Sequence, residues 1–386
     1  MNNIQSDVQE VSYDQYKIWK RNSLVLYDLC VTHVLFFPSL TIDFQLLAKT
    51  VPNKFQALVG FAIGTNSPNI AAREPNYMLV KQLVLPSVFT PQPADTISAS
   101  SEGILAGGYN ILSNNEQYGR LIDLYQLKQE SEPNCIAFCP LDTDLVAVLT
   151  DSSLRLFDLQ SALMKTPNDS PAFFDFQDDD GGFCLCFSGS ILVHGGSSAI
   201  RVFDVKQRQK IAEVRIDSII NQVVFSPFYK DTIAAVTDDG ELLLIDALRG
   251  IVLKRELLGN IIQNFTPTSI AFSQFNEKII ALASDQGVVV IFDISTFKII
   301  LQKQIHQKAI FQLKFSPFYE NLLMTGSEDS KIILSNAFNL DQYFVHQGHT
   351  MAISDCKFHP LIPNLIGSVA EDNSLQFWWP TEGAFK

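Results

Sequence analysis

The chain has 386 residues, 47% of them hydrophobic, and a formal net charge of −13. This composition excludes a disordered chain, and the charge excludes a domain-wide basic footprint for nucleic acid. An acidic surface repels phosphate and attracts basic partners, or serves only solubility.

Residues 1–10 are polar and acidic, without the basic and then apolar pattern of an export signal. The six cysteines are therefore expected as reduced thiols in the nucleus or cytoplasm. The most apolar early run, 24–40, is broken by Asp28, His33 and Pro38 and makes a poor membrane span. Residues 6–22 predict a helix, with Ser6 or Asp7 as its cap. Val8, Val11, Gln15, Ile18 and Trp19 fall along one side. Lys17, Lys20 and Arg21 suit its C-terminal end. That apolar side is expected to dock on the remainder of the chain.

From residue 40 the pattern changes to short strands. "LTIDFQLL", "ALVGFAIGT", "YMLVKQLVLP" and "RLIDLYQL" lie between 40 and 127, with the Pro- and Ser-rich stretch 86–103 as a loop. Six similar segments follow: 136–159, 185–205, 223–248, 270–294, 313–338 and 356–380. In each, a strand ends in Phe and often Ser-Pro, a turn follows, and a second and third strand come after it. The anchoring residues are Phe138, Phe187, Phe225, Phe272, Phe315 and Phe358. Asp238-Asp239-Gly240 and Asp285-Gln286-Gly287 are tight-turn chemistry. Third strands close on Phe-Asp at 157–158, 203–204 and 292–293 and on Ile-Asp at 245–246. "GHT" at 348–350 with "WW" at 378–379 comes nearest to the GH…WD signature.

Repeats of this length and layout are blades of a β-propeller. The strands between 40 and 127 supply a seventh. The expected fold is all-β: a seven-bladed propeller over 31–386, with residues 1–30 as a helical arm packed on its side. A strand after the arm can pair with the last blade and remove both free edges.

No catalytic set stands out. Cys135, Cys139, Cys184 and Cys186 lie in or beside apolar strands, where a thiol behaves as a small hydrophobe. "DDDGG" at 178–182 lacks the spaced ligands of a calcium loop. "GILAGGYN" at 103–110 has no following Lys-Ser/Thr, and "HGGSS" at 194–198 has no accompanying nucleophile elbow. A non-catalytic protein without metal or cofactor is expected.

"YKIWKRNSLVLYDLCVTHVLFFPSLTIDF" at 16–44 closely resembles the arm and first strand of the retinoblastoma-associated, p48-type histone-binding WD40 proteins. "FVHQGHTMAISDCKFHPLIPNLIGSVAEDNSLQFW" at 344–378 matches them in style, while the middle blades diverge. The resemblance implies a nuclear scaffold in acetyltransferase, deacetylase, nucleosome-assembly or Polycomb-type complexes. It implies subunits of such complexes and core histones three and four as partners, with no direct nucleic-acid or membrane contact.

Two surfaces carry over. On the face that takes a histone tail, Glu132, Asn134 and Glu371 match family positions, and Phe183 replaces an aromatic that bears a hydroxyl. Asn221 and Ala309 stand where the family has acids. Each acid lost from a desolvated pair weakens binding by about 1–3 kcal/mol. In the side groove for a histone helix, Ile18, Val25, Phe344 and Val345 match apolar positions. The family's long acidic loop before the last blade is missing: 334–350 is short and has one acid, Asp341. The alternative is therefore a scaffold that has lost direct histone contact and only docks large subunits.

Overall fold

The computed structural model describes residues 2–51, 56–67, 75–86, 118–162, 172, 174–177 and 181–381. The stretch 87–117, with the glycine run 103–110, lies outside the described residues. So do 178–180 and the side chains of 2–13, which include Ser6, Asp7, Val8 and Val11.

Seven antiparallel sheets of four strands make a propeller. Blade one is Ile42–Val51, Gln56–Gly64, Asn76–Pro86 and Leu121–Gln129. Blade two is Cys135–Phe138, Leu145–Leu149, Ser153–Asp158 and Phe174–Gln177. Blade three is Cys184–Ser188, Ile191–Gly195, Ala199–Asp204 and Gln209–Arg215. Blade four is Ile220–Phe225, Thr232–Thr237, Glu241–Asp246 and Ile251–Leu257. Blade five is Pro267–Phe272, Ile279–Ser284, Val288–Asp293 and Lys298–Gln304. Blade six is Ile310–Phe315, Leu322–Ser327, Ile332–Asn336 and Gln342–His346. Blade seven takes Ile353–Phe358, Ile366–Ala370 and Ser374–Pro380 from the end of the chain and its outer strand, β1 (Tyr27–Val34), from the beginning.

The repeat pattern made three strands per blade visible; the fourth, outer strand is weakly amphipathic and half solvated. The Phe-Asp pairs have separate duties. Phe157, Phe203 and Phe292 are buried between blades, each adding about 1.5–3 kcal/mol by burial. The aspartates cap the next turn: Lys206 N donates to Asp204 Oδ1 at 2.9 Å and Ser295 N to Asp293 Oδ1 at 2.8 Å. Both tight turns read from the sequence form. Gly240 and Gly287 take φ of 85° and 79°, and a Cβ on Gly287 would collide with the His306 carbonyl oxygen.

The first strands line the centre and are tied blade to blade. Ile136 N donates to Thr41 Oγ1 at 3.1 Å, Asn221 Nδ2 to Pro267 O at 2.9 Å, and Ile42 N to Asp355 Oδ2 at 3.0 Å. The outer strands carry a different device. In six blades one extra residue bulges from the ladder: Leu124, Ile211, Leu253, Ile300, Tyr343 and, on β1, Asp28. A bulge twists an exposed edge away from strand-to-strand pairing with other chains.

Helix α1 runs Asn2–Leu26, longer than the 6–22 read from the sequence. Leu24-Val25-Leu26 looks like strand, but Ser23 Oγ donates to Lys20 O at 3.0 Å and the last turn docks, so the helix holds until β1 begins. The ladder from Tyr27↔Pro380 to Val34↔Ser374 then closes the ring.

His359, after the first strand of blade seven, predicts a pH dependence. Its Nδ1 accepts from the N–H groups of Leu361 at 3.0 Å and Ile362 at 2.9 Å. Burial pushes its pKa down to about 3. Below its ordinary value of about 6.5 the unfolded chain takes a proton that the folded chain refuses, so stability falls as pH falls. The expected loss is about 1.4 kcal/mol per pH unit from this residue down to its folded value. His359→Ser, the residue that blades four to six use at this position, should flatten that slope in urea unfolding between about pH 6.5 and 4.5. An unchanged slope would refute the assignment.

Candidate functional site

The arm is fixed by a buried polar chain inside an aromatic cluster. Tyr16, Trp19, Ser23 and Leu26 form the docked stripe, at spacings of three and four. Trp19 Nε1–H donates to the Tyr27 hydroxyl at 2.7 Å, and that hydroxyl meets His346 Nδ1 at 2.8 Å. The hydroxyl accepts from Trp19, so its own proton goes to Nδ1, which leaves His346 neutral with its proton on Nε2. Burial, with His349 beside it, holds His346 well below the ordinary histidine range and keeps it an acceptor. His346 lies flat on Trp378, ring centroids 4.3 Å apart and planes 4° apart. His349 Nε2 reaches Ser368 Oγ at 2.7 Å, which also accepts from Trp378 Nε1 at 3.2 Å.

The sequence reading put Gln15, Ile18 and Trp19 on the docked side, and of these three only Trp19 is buried. The structure rotates the stripe to Tyr16 and Trp19, because the Trp19 indole has a buried acceptor and Ile18 has none. Ile18 is 59% exposed and Val25 78%, seven residues apart on one face, with Leu24 exposed beside them. The other two residues expected in the groove do not join them. Phe344 is buried under the arm, edge-on to Tyr27 with ring centroids 5.2 Å apart. Val345 points to the opposite side of its strand, into the core between blades five and six. Asp341, the acid of the short loop, binds Lys303 Nζ at 2.7 Å.

The second surface is the end of the propeller where second and third strands are joined. Glu132 is half-buried, and with the Asn66 amide turned so that its nitrogen faces the carboxylate, Oε1 accepts from it at 2.9 Å. Burial, then Asp151 nearby, pushes the Glu132 carboxyl up. Asn134 Nδ2 donates to Asp151 Oδ1 at 2.6 Å and to Gly182 O at 3.1 Å, which brings it beside exposed Phe183. Glu371 is exposed on the turn of blade seven. The same end carries exposed Asp151, Asp238 and Asp239, which the sequence reading did not single out as a set; an acidic turn in blades two, four, five, six and seven was the available signal. Asp329 and Asp372 are committed inward, to His306 Nδ1 at 3.0 Å and to Ser374 N at 3.0 Å. Asn221, tied to Pro267, keeps no amide proton pair free as a fork for a ligand. Among the described residues no group of three or more His, Cys, Asp or Glu could hold a metal ion, and no helix is long and apolar enough to cross a membrane.

Residues 14–87, the second half of the arm, the closing strand and the first three strands of blade one, match the family model described as histone-binding protein RBBP4 or the C subunit of the CAF1 complex. Over those residues the chain is similar to that family. It is similar to the protein named histone acetyltransferase type B subunit 2 of Schizosaccharomyces pombe, 24% identical over 261 residues, 63% of this chain and 58% of that protein. The proteins of that name from Neurospora crassa and Aspergillus fumigatus are 25% and 24% identical over 259 and 253 residues. Those alignments cover 62% of this chain each, and 56% and 57% of the relatives. The matches thus span little more than half of each relative's length.

Tyr27→Phe should cost about 1–3 kcal/mol, because it strands a buried indole N–H and a buried imidazole nitrogen. Amide exchange in 14–26 should speed up more than exchange in blade four. Equal stability and unchanged arm exchange would mean that the arm is held by apolar contact alone.

Proposed function

We propose that this chain is a non-catalytic histone-binding scaffold subunit of a nuclear chromatin-modifying or chromatin-assembly complex. The observation that carries the reading is where the family match falls. It covers the arm and closing strand, and there the arm offers an open apolar face of Ile18, Leu24 and Val25 on a rigid mount. Such a face suits an amphipathic helix, here the first helix of histone four. The acidic turn end, with Glu132, Asp151, Asp238, Asp239 and Glu371, suits the basic tail of histone three: an exposed carboxylate can hold a guanidinium or ammonium group. Phe183 beside it offers an apolar wall, and Asn134 holds Asp151 in position.

A second reading, a scaffold that only docks large complex subunits, is favoured by one particular. The wall opposite the arm is thin: Phe344 and Val345 are turned inward and Asp341 is paired with Lys303.

Anisotropy titrations with the two histone peptides decide between them. Ile18→Asp with Val25→Asp should weaken the helix peptide at least about tenfold, near 1.4 kcal/mol, and leave the tail peptide unaffected. Glu371→Ala or Glu132→Ala should do the reverse. Absence of binding by both peptides at moderate salt would leave the docking scaffold.

A further inference from the structure

The opposite end of the channel has its own surface. There the first and second strands of each blade are joined, by turns at 139–144, 226–231, 273–278, 316–321 and 359–364 in blades two, four, five, six and seven. A buried side chain just after the anchoring Phe organises four of these turns. Ser226 Oγ accepts from Phe228 N at 3.3 Å and Tyr229 N at 3.1 Å. Ser273 and Ser316 do the same at 3.1 to 3.2 Å, and His359 Nδ1 replaces them in blade seven. The turn so fixed directs the residue three after the anchor toward solvent. That residue is Phe228, Phe275 and Leu361, exposed by 41%, 46% and 41%; Leu141, exposed by 64%, holds the same place in blade two, where Cys139 follows the anchor. Half-buried Phe318 stands at the same place in blade six.

One turn chemistry, repeated, thus sets large apolar side chains around one mouth of the channel. Their exposure gives them no folding role to match their size. The charges on these turns are Asp142, Asp144, Asp231, Glu277 and Glu320 against Lys230 and Lys278, five acids to two bases.

We propose that this mouth is a docking surface for an amphipathic helix with an apolar stripe and basic flanks, supplied by another protein. Two N–H groups in each of the turns of blades four to seven are taken up by the serine or histidine side chain, so these turns make a poor main-chain edge for an extended strand. A helix satisfies its own backbone and binds through side chains alone. The surplus of acids selects lysine and arginine beside the apolar stripe.

The probe is a labelled helical peptide with leucines on one face and lysines beside them, titrated against the full-length protein by anisotropy. A version with glutamates replacing the lysines and a sequence-scrambled version serve as controls. Phe228→Asp with Phe275→Asp should weaken the lysine peptide at least tenfold, and so should Leu361→Asp. Glu371→Ala should leave that affinity within twofold, and the glutamate peptide should bind at least tenfold more weakly. Thermal unfolding of the variants should match the parent, because the substituted side chains are exposed. Equal affinity in parent and variants, or competition by a histone-tail peptide, would overturn the proposal by moving the site to the other end. A sedimentation mass that falls in the Phe228 and Phe275 variant would also overturn it, assigning the mouth to a second copy of this chain.

Discussion

The ring closes on one hydroxyl. Tyr27 is the first residue of β1, and its oxygen is shared between Trp19 of the arm and His346 of blade six, 319 positions along the chain. Around it the rings of Phe344, His346 and Trp378 fill the seam. Every part of this contact depends on another. The helix has its docking stripe only if the hydroxyl accepts the indole proton. The hydroxyl donates only if burial keeps His346 neutral. His346 is held flat only because β1 completes the sheet that carries Trp378. A propeller lacking this closure would leave β1 and the Ser374–Pro380 strand as open edges.

With the ring shut, its two ends become different surfaces built by the same rule. At one end, turns between second and third strands end on acids, some bound inward to His306 and neighbours of His349, others left exposed. At the other end, serine or histidine caps tighten the turns and push an apolar side chain outward. The outer rim is protected differently: one bulged residue per blade, in six blades, spoils it for edge-to-edge pairing. The rim is therefore poor at recruiting strands, and the exposed apolar and acidic side chains lie on the arm and at the two mouths.

The acidic turn end and the open face of the arm have unequal endowments. On the acidic end Asn134 holds Asp151 in position, with Asn66 turned onto Glu132. On the arm the open face stands almost alone, since Phe344 serves the core and Asp341 is paired. The physical consequence is one surface with directed charge and another that can offer apolar contact from one side only.

The sequence by itself determined the repeat, the turn chemistry and the closing role of the segment after the arm. These are local: Phe, Ser-Pro, Asp-Gly and Phe-Asp act within a few residues of where they stand, and period-two alternation marks the strands. Glu132, Asn134, Phe183 and Glu371 were named through the family resemblance, and the structure places them at the same end of the propeller. Only the tertiary structure decided which helix residues dock. Ile18 and Trp19 are adjacent and both apolar, and what separates them is an acceptor on Tyr27 that exists only once His346 is folded against it. The same holds for Phe344 and Val345, neighbours on one strand whose side chains enter different cores. Which core each enters depends on how blade six packs, a property of the closed ring and not of any short stretch of chain.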